Sequence, residues 1–307
     1  MGDRRGPSPT PPRGREFAPA KINLALHVTG RRDDGYHLLD TLVVHARDDA
    51  AGDEIEAEIL RDAEAIGRFD LALDGPFAAG LAADPDNLVL RAARLIEATA
   101  RAAGRPGFGA RLRLTKRLPI ASGIGGGSAD AAAALRLLAR LAGLPLSAAD
   151  LARLALPLGA DVPMCVIGGA LRARGIGETV APLPSLPPLD LVLVNPGVAV
   201  ATPAVFRALA KRDNPPMADL PAALDAPGLI ALLRRTRNDL QPAAVALAPA
   251  IGEAIDLLAG LDGVRLVRMS GSGATVVALT DDAATARAVA ERVAAMRPGW
   301  WSAPTRA

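Results

Sequence analysis

The sequence predicts an α+β protein of two domains, and three observations carry that prediction. Strand-like and helix-like segments are mixed without the regular βαβ rhythm of a doubly wound sheet. The 307 residues exceed what one small hydrophobic core organises. A stretch with four prolines in ten residues, APLPSLPPLD at 181–190, divides the chain. The expected organisation is a disordered tail over residues 1–15, a first domain over 16–180 and a second over 181–307.

Each element has its own signal. From Ala18 onward Ile22, Leu24 and Leu26 alternate with Lys21, Asn23 and Ala25, so a strand there puts Lys21 and Asn23 on one face. A turn-rich TGRRDDGYH follows, then LLDTLVVHA reads as a second strand, and 53–59 and 69–73 as two more. Residues 87–103 form an amphipathic helix pattern, and 110–115 alternate as a strand. A helix is expected over 128–142, ended by Gly143, and another over 147–158, capped by Ser147. In the second half LVLVNPG reads as a buried strand. Residues 204–211, 229–235, 243–258 and 282–296 read as helices, and VRLVRMSGSGATVVALT as two strands around a Ser-Gly-Ser-Gly turn.

Composition removes several functions. Net charge is +2, and the first 15 residues alone carry four arginines against one aspartate, so no basic stripe is left for a folded nucleic-acid face. Aromatic residues make up 3%, too few for base-stacking platforms. No apolar run is long and charge-free enough to span a bilayer, and the Pro/Arg-rich start lacks the apolar stretch of a secretory signal. Cys165 is the only cysteine, so no internal disulfide forms and a reducing, cytoplasmic setting is expected. Three histidines (27, 37 and 45) and one cysteine do not make a zinc site. His27 and His45 fall on strand patterns and read as structural. Of 35 basic residues only Lys21, Lys116 and Lys211 are lysines, which flags places where a compact ammonium is wanted.

The most informative stretch is LPIASGIGGGSADAAAALRLL at 118–138. It is not a dinucleotide fingerprint, because position 128 is serine and the following strand comes at the wrong spacing. It is not a Walker A loop, because it holds no lysine. Successive glycine amides ahead of a helix N-terminus make an anion cradle, while a plain glycine turn with a serine cap fits the same letters. Ser128 could cap the helix, bond a phosphate or help hold a magnesium ion.

The segment PIASGIGGGSADAAA resembles the phosphate-binding motif of the GHMP small-molecule kinases. PAKINLALHVTGRRDDGYHLLDTL at 19–42, LGADVPMCVIGGA, NDLQPA and MSGSGATVVAL follow in the order and spacing of the branch that phosphorylates a cytidylyl sugar alcohol in non-mevalonate isoprenoid synthesis. The resemblance runs from about residue 17 to the end and departs at Ala129, where many relatives carry a second serine. It implies an N-terminal domain like the second domain of ribosomal protein S5, and a ferredoxin-like C-terminal domain. It implies ATP and magnesium, a small-molecule acceptor, no nucleic acid or membrane partner, and a monomer or homodimer.

The resemblance also implies individual roles. Asp161 would take the proton from the acceptor hydroxyl, against the alternative of an ordinary helix cap. Lys21 would lower the hydroxyl's pKa and offset charge as the γ-phosphate moves, and Asn23 would bond the polyol. Pro119, Ile120, Ala121, Ser122, Gly123, Ile124, Gly125, Gly126, Gly127, Ser128 and Ala129 would hold ATP, with Ser128 also on the metal. Tyr36 and Phe206 would sandwich the cytosine, and His37 would read its polar edge.

Overall fold

The computed structural model describes residues 11–183, 186–221 and 223–307. In chain order the strands are β1 (Arg13–Pro19), β2 (Lys21–Arg31), β3 (His37–His45), β4 (Gly52–Leu60), β5 (Phe69–Asp74), β6 (Gly109–Thr115), β7 (Leu171–Gly175), β8 (Thr179–Pro182), β9 (Asp190–Asn195), β10 (Val264–Met269), β11 (Val276–Thr280) and β12 (Trp301–Arg306). The helices are α1 (Leu88–Ala102), α2 (Gly126–Leu141), α3 (Ala148–Ala155), α4 (Val162–Ile167), α5 (Thr202–Arg207), α6 (Ala226–Arg234), α7 (Gln241–Leu247), α8 (Ala250–Ala259) and α9 (Ala283–Met296).

The strands make three four-stranded sheets, ordered β1-β4-β6-β5, β2-β3-β7-β8 and β10-β11-β9-β12. Pairing is antiparallel except between β5 and β6, as an α+β chain requires. The first sheet buries Ile55, Ile59, Leu112 and Leu114 against Val89 and Ile96 of α1 and Leu135 and Leu137 of α2. The third sheet, with its crossovers through α5–α8 and through α9, has the strand order of a ferredoxin-like βαββαβ unit. Its other face packs on the second sheet, where Ile22, Leu24 and Leu42 meet Leu191, Leu193 and Val277. Near-continuous burial along β2 explains why that strand reads apolar on one face and still hides Lys21 and Asn23 on the other.

Several boundaries differ from the sequence reading. Residues 1–10 of the expected tail lie outside the described residues, but Arg13–Arg15 belong to β1 and pair with Glu56–Glu58 of β4. β8 runs across the expected division at residue 180. The helix expected over 243–258 is two helices bent by 120°, because Pro249 pushes Ala248 into an extended conformation (ψ 87°). α2 begins at Gly126, with Gly125 as its left-handed N-cap residue (φ 63°), so Ser128 is the third helical residue and not the cap. β1, β7, β8, β12 and α4 are too short or too irregularly patterned for period alone to reveal them.

Candidate active site

A cavity of about 930 Å³ opens where the second sheet, the glycine loop and the turn between β10 and β11 converge. Lys21, Asn23, Tyr36, His37, Asp161 and Phe206 all line it, with Ala121, Ser122, Gly123, Gly125, Gly126, Gly127 and Ser128. Pro119, Ile120, Ile124 and Ala129 do not. Ile124 and Ala129 face the core, and the Pro119 carbonyl accepts the Ser122 hydroxyl at 2.6 Å.

The centre of the cavity is an ion pair. Lys21 Nζ donates to Asp161 Oδ2 at 2.8 Å, with the lysine side chain 6% exposed and the aspartate 40%. Asp161 stands at the N-cap position of α4 but accepts no capping hydrogen bond, which removes the ordinary structural reason for an aspartate there. Its position instead turns one face of the carboxylate to the buried lysine and leaves the other open to the cavity. Two residues along β2, Asn23 Nδ2 donates to Thr41 Oγ1 at 2.7 Å, and that hydroxyl donates to the Ala25 carbonyl at 2.6 Å. Asn23 Oδ1 is buried without a partner, so the amide is oriented with an acceptor to spare.

The glycine loop is seated from two directions. Lys21 N donates to the Ile124 carbonyl at 2.9 Å, and a Cβ on Gly125 would lie 3.1 Å from Lys21 Cβ and Cε. On the other side Ser270 Oγ donates to the Gly123 carbonyl at 3.1 Å, and Thr275 N to the Ser122 carbonyl at 3.0 Å. A Cβ on Gly123 would meet Ser270 O at 2.5 Å, and one on Gly271 would meet Gly123 O at the same distance. The Ser-Gly-Ser-Gly turn is therefore glycine-rich because it lies backbone to backbone on the loop. Ser272 Oγ also shares a 2.7 Å hydrogen bond with Thr202 Oγ1, and both residues line the cavity. No role for this turn, or for Thr202, followed from the sequence; the repeated small residues were the available signal.

At the far end of the cavity Phe206 stacks on the His37 ring, with centroids 4.8 Å apart and planes at 27°. His37 Nε2 is buried and unpartnered. Burial, and then the Arg31 and Arg212 guanidiniums, lower the His37 pKa, so the ring is neutral at pH 7. Tyr36 remains 59% exposed at the rim, so the ring facing Phe206 is that of His37. A second cavity, of about 310 Å³, lies beyond Gly127, where Leu81, Leu88, Val89 and Leu114 line it together with Asp84, Asp86, Asn87 and Asp130. Among the described residues no three histidine, cysteine or acidic side chains gather as a metal cage, and no single helix is long and apolar enough to cross a membrane.

Residues 87–169 match the model of the GHMP kinases' N-terminal domain, and 220–298 that of their C-terminal domain. The chain belongs to the GHMP kinase family. It is 55% identical over 292 residues to the 4-diphosphocytidyl-2-C-methyl-D-erythritol kinase of Cereibacter sphaeroides (strain KD131 / KCTC 12085), covering 94% of this chain and 98% of that one. Identity to the protein of the same name from Paracoccus denitrificans (strain Pd 1222) is 52%, over 94% and 95% of the two chains. A crystal structure of 4-(cytidine 5'-diphospho)-2C-methyl-D-erythritol kinase superposes with a TM-score of 0.74 at 35% identity, covering 95% of this chain and 98% of the other. The two GHMP kinase domains expected from the sequence are thus both present.

His45 lies beside this GHMP kinase site, paired with Lys21 across the β2–β3 ladder. Its Nδ1 lies 2.8 Å from the Gly169 carbonyl, and burial, the largest cause, pushes its pKa down to about 4. An unfolded histidine binds a proton below its ordinary pKa of 6.5, whereas the folded one resists until about pH 4. The stability this confers is complete above pH 6.5 and lost as pH falls through 4, about 3 kcal/mol in all. Urea unfolding at pH 7 and pH 4 should show a smaller acid loss for His45→Gln than for the wild type. Equal losses would mean the ring protonates in place.

Proposed function

We propose that this chain transfers the γ-phosphoryl group of ATP to the 2-hydroxyl of 4-diphosphocytidyl-2-C-methyl-D-erythritol, a step of non-mevalonate isoprenoid precursor synthesis. The Lys21–Asp161 pair facing the glycine loop carries this reading, because it places a base and a compact cation where a hydroxyl and a terminal phosphate would meet. Asp161 takes the hydroxyl proton as the oxygen bonds to the γ-phosphorus and the bond to the ADP oxygen breaks. Lys21 orients that carboxylate and stabilises charge on the transferring group. Asn23 Oδ1 accepts from a hydroxyl of the acceptor.

The amides of the loop and the N-terminus of α2 bind the triphosphate. The second cavity, lined by Leu81, Leu88 and Val89 together with Asp84, Asp86 and Asn87, takes the adenine. Magnesium, bound with the nucleotide, would supply charge neutralisation at the phosphates. The absence of an acidic cage among the described residues suits an ion held chiefly by phosphates and water, with Ser128 as the protein hydroxyl lining the cavity.

Cytosine recognition falls to Tyr36, His37 and Phe206. An unprotonated imidazole with one free nitrogen suits reading a base edge, and the 35%-identical structure and the curated relatives point to a cytidine-bearing acceptor. ATP consumption should depend on the cytidylyl alcohol. Tyr36→Ala should raise KM for that alcohol about ten- to a hundred-fold, with little change in KM for ATP, since one base stack contributes about 1–3 kcal/mol. Steady-state kinetics with each substrate varied measures both. An unchanged acceptor KM would remove the cytidylyl assignment while leaving kinase activity itself standing.

A further inference from the structure

Beneath the glycine loop lies a second buried lysine that the reaction scheme leaves unused. Lys116 Nζ donates to Asp53 Oδ2 and to Asp130 Oδ2, both at 2.6 Å, and the three side chains are 3%, 0% and 4% exposed. Asp53 reaches further, accepting the backbone N–H groups of Arg117 at 2.6 Å and Leu118 at 2.8 Å through Oδ1. Those two residues lead into the loop, and Asp130 sits in the second turn of α2, which leaves it. The cluster therefore joins the loop's entry to its exit. A Cβ on Gly126 would lie 3.0 Å from Lys116 Nζ, so the ammonium sits directly under the first helical residue.

Burial opposes the charge on Lys116, but Asp130 and Asp53 outweigh it and its pKa is raised. A chain that uses arginine for nearly every cation keeps lysine here, where a planar guanidinium has no room between two carboxylates and a helix backbone.

We propose that Lys116, held by Asp53 and Asp130, is a positioning residue that fixes the span of the glycine loop and thereby the enzyme's affinity for the nucleotide triphosphate. This rests on the kinase reading above. Lys116→Arg conserves the charge but not the fit. Titration calorimetry on the full chain should show ATP binding about tenfold weaker, with binding of the cytidylyl alcohol within about twofold of wild type, because small displacements of positioning groups have effects of this size. Asp53→Asn keeps shape and one acceptor at a residue that lines neither cavity, and should weaken ATP binding about threefold with the same selectivity. A cluster that merely stabilised the fold would lower the melting temperature and weaken both ligands together, and that result overturns the proposal. So does ATP binding at wild-type strength in folded variants. Should Lys116→Arg not fold, Asp53→Asn decides by the same criteria. Failure of the wild type to bind ATP overturns the kinase reading and this proposal with it.

Discussion

Asp161→Asn is expected to lower kcat by about 10²- to 10⁴-fold, the usual contribution of a positioned general base, while ATP affinity stays near wild type. The substitution keeps size and leaves an oxygen that can still accept from Lys21 Nζ, now 2.8 Å away in the wild type. It removes the proton acceptor and, with it, the negative charge that pairs with Lys21. Because Asp161 makes no capping hydrogen bond to α4, the helix start is unaffected, and the cost of the substitution falls on Lys21, whose buried ammonium loses its counter-charge. Far-ultraviolet circular dichroism and ATP calorimetry establish that the variant is folded and loaded, and single-turnover kinetics then isolate the chemical step. Turnover within a few-fold of wild type would show that the hydroxyl loses its proton to something other than this carboxylate.

Gly125→Val should abolish measurable ATP binding, a weakening of more than about a hundred-fold. Two costs coincide at this position. The backbone is left-handed (φ 63°), which a β-branched residue tolerates poorly, at about 1–3 kcal/mol. The added carbons also run into Lys21, whose Cβ and Cε already lie within 3.1 Å of where a Cβ would sit. The loop must then shift, and with it the amides that face the phosphates and the lysine that faces Asp161. The core beneath is carried by α2, β4 and β6 and is untouched, so the melting temperature should fall only modestly. Binding at wild-type strength would return the loop to the status of a glycine turn with no anion to hold.

Much of this site could be read from letters because its chemistry demands unusual ones. Glycines in a run before an alanine-rich helix, a lysine in an arginine-using chain, and a lone tyrosine beside a histidine in a polar turn each depart from what packing alone would select. Period two along β2 correctly placed Lys21 and Asn23 on one face. What stayed hidden depends on long-range pairing. Asp53 looks like an ordinary strand-end charge, and the scarcity of lysine marks Lys116 without naming its partners, until β4 and β6 lie side by side across a separation of 63 residues. The β1 strand reads as part of a Pro/Arg tail because its alternation, Arg13 to Pro19, is polar on one face and flanked by prolines. Likewise Ser128 looks like a helix cap because serine usually is one. Here the left-handed Gly125 turns the backbone three residues earlier and takes that position.

The Ser-Gly-Ser-Gly turn that presses on the glycine loop sets a schedule for how the enzyme becomes an enzyme. Gly123 leaves the ribosome long before Ser270, its hydrogen-bonding partner 147 residues later. Throughout that interval the loop has its own amides and its strand, but not the turn that fixes Gly123 and Ser122 from above. Such distant contacts form late, since the chain between them must be ordered first. The glycine loop is thus seated on both sides only near the end of synthesis, once the C-terminal domain that carries Ser270 has folded against it.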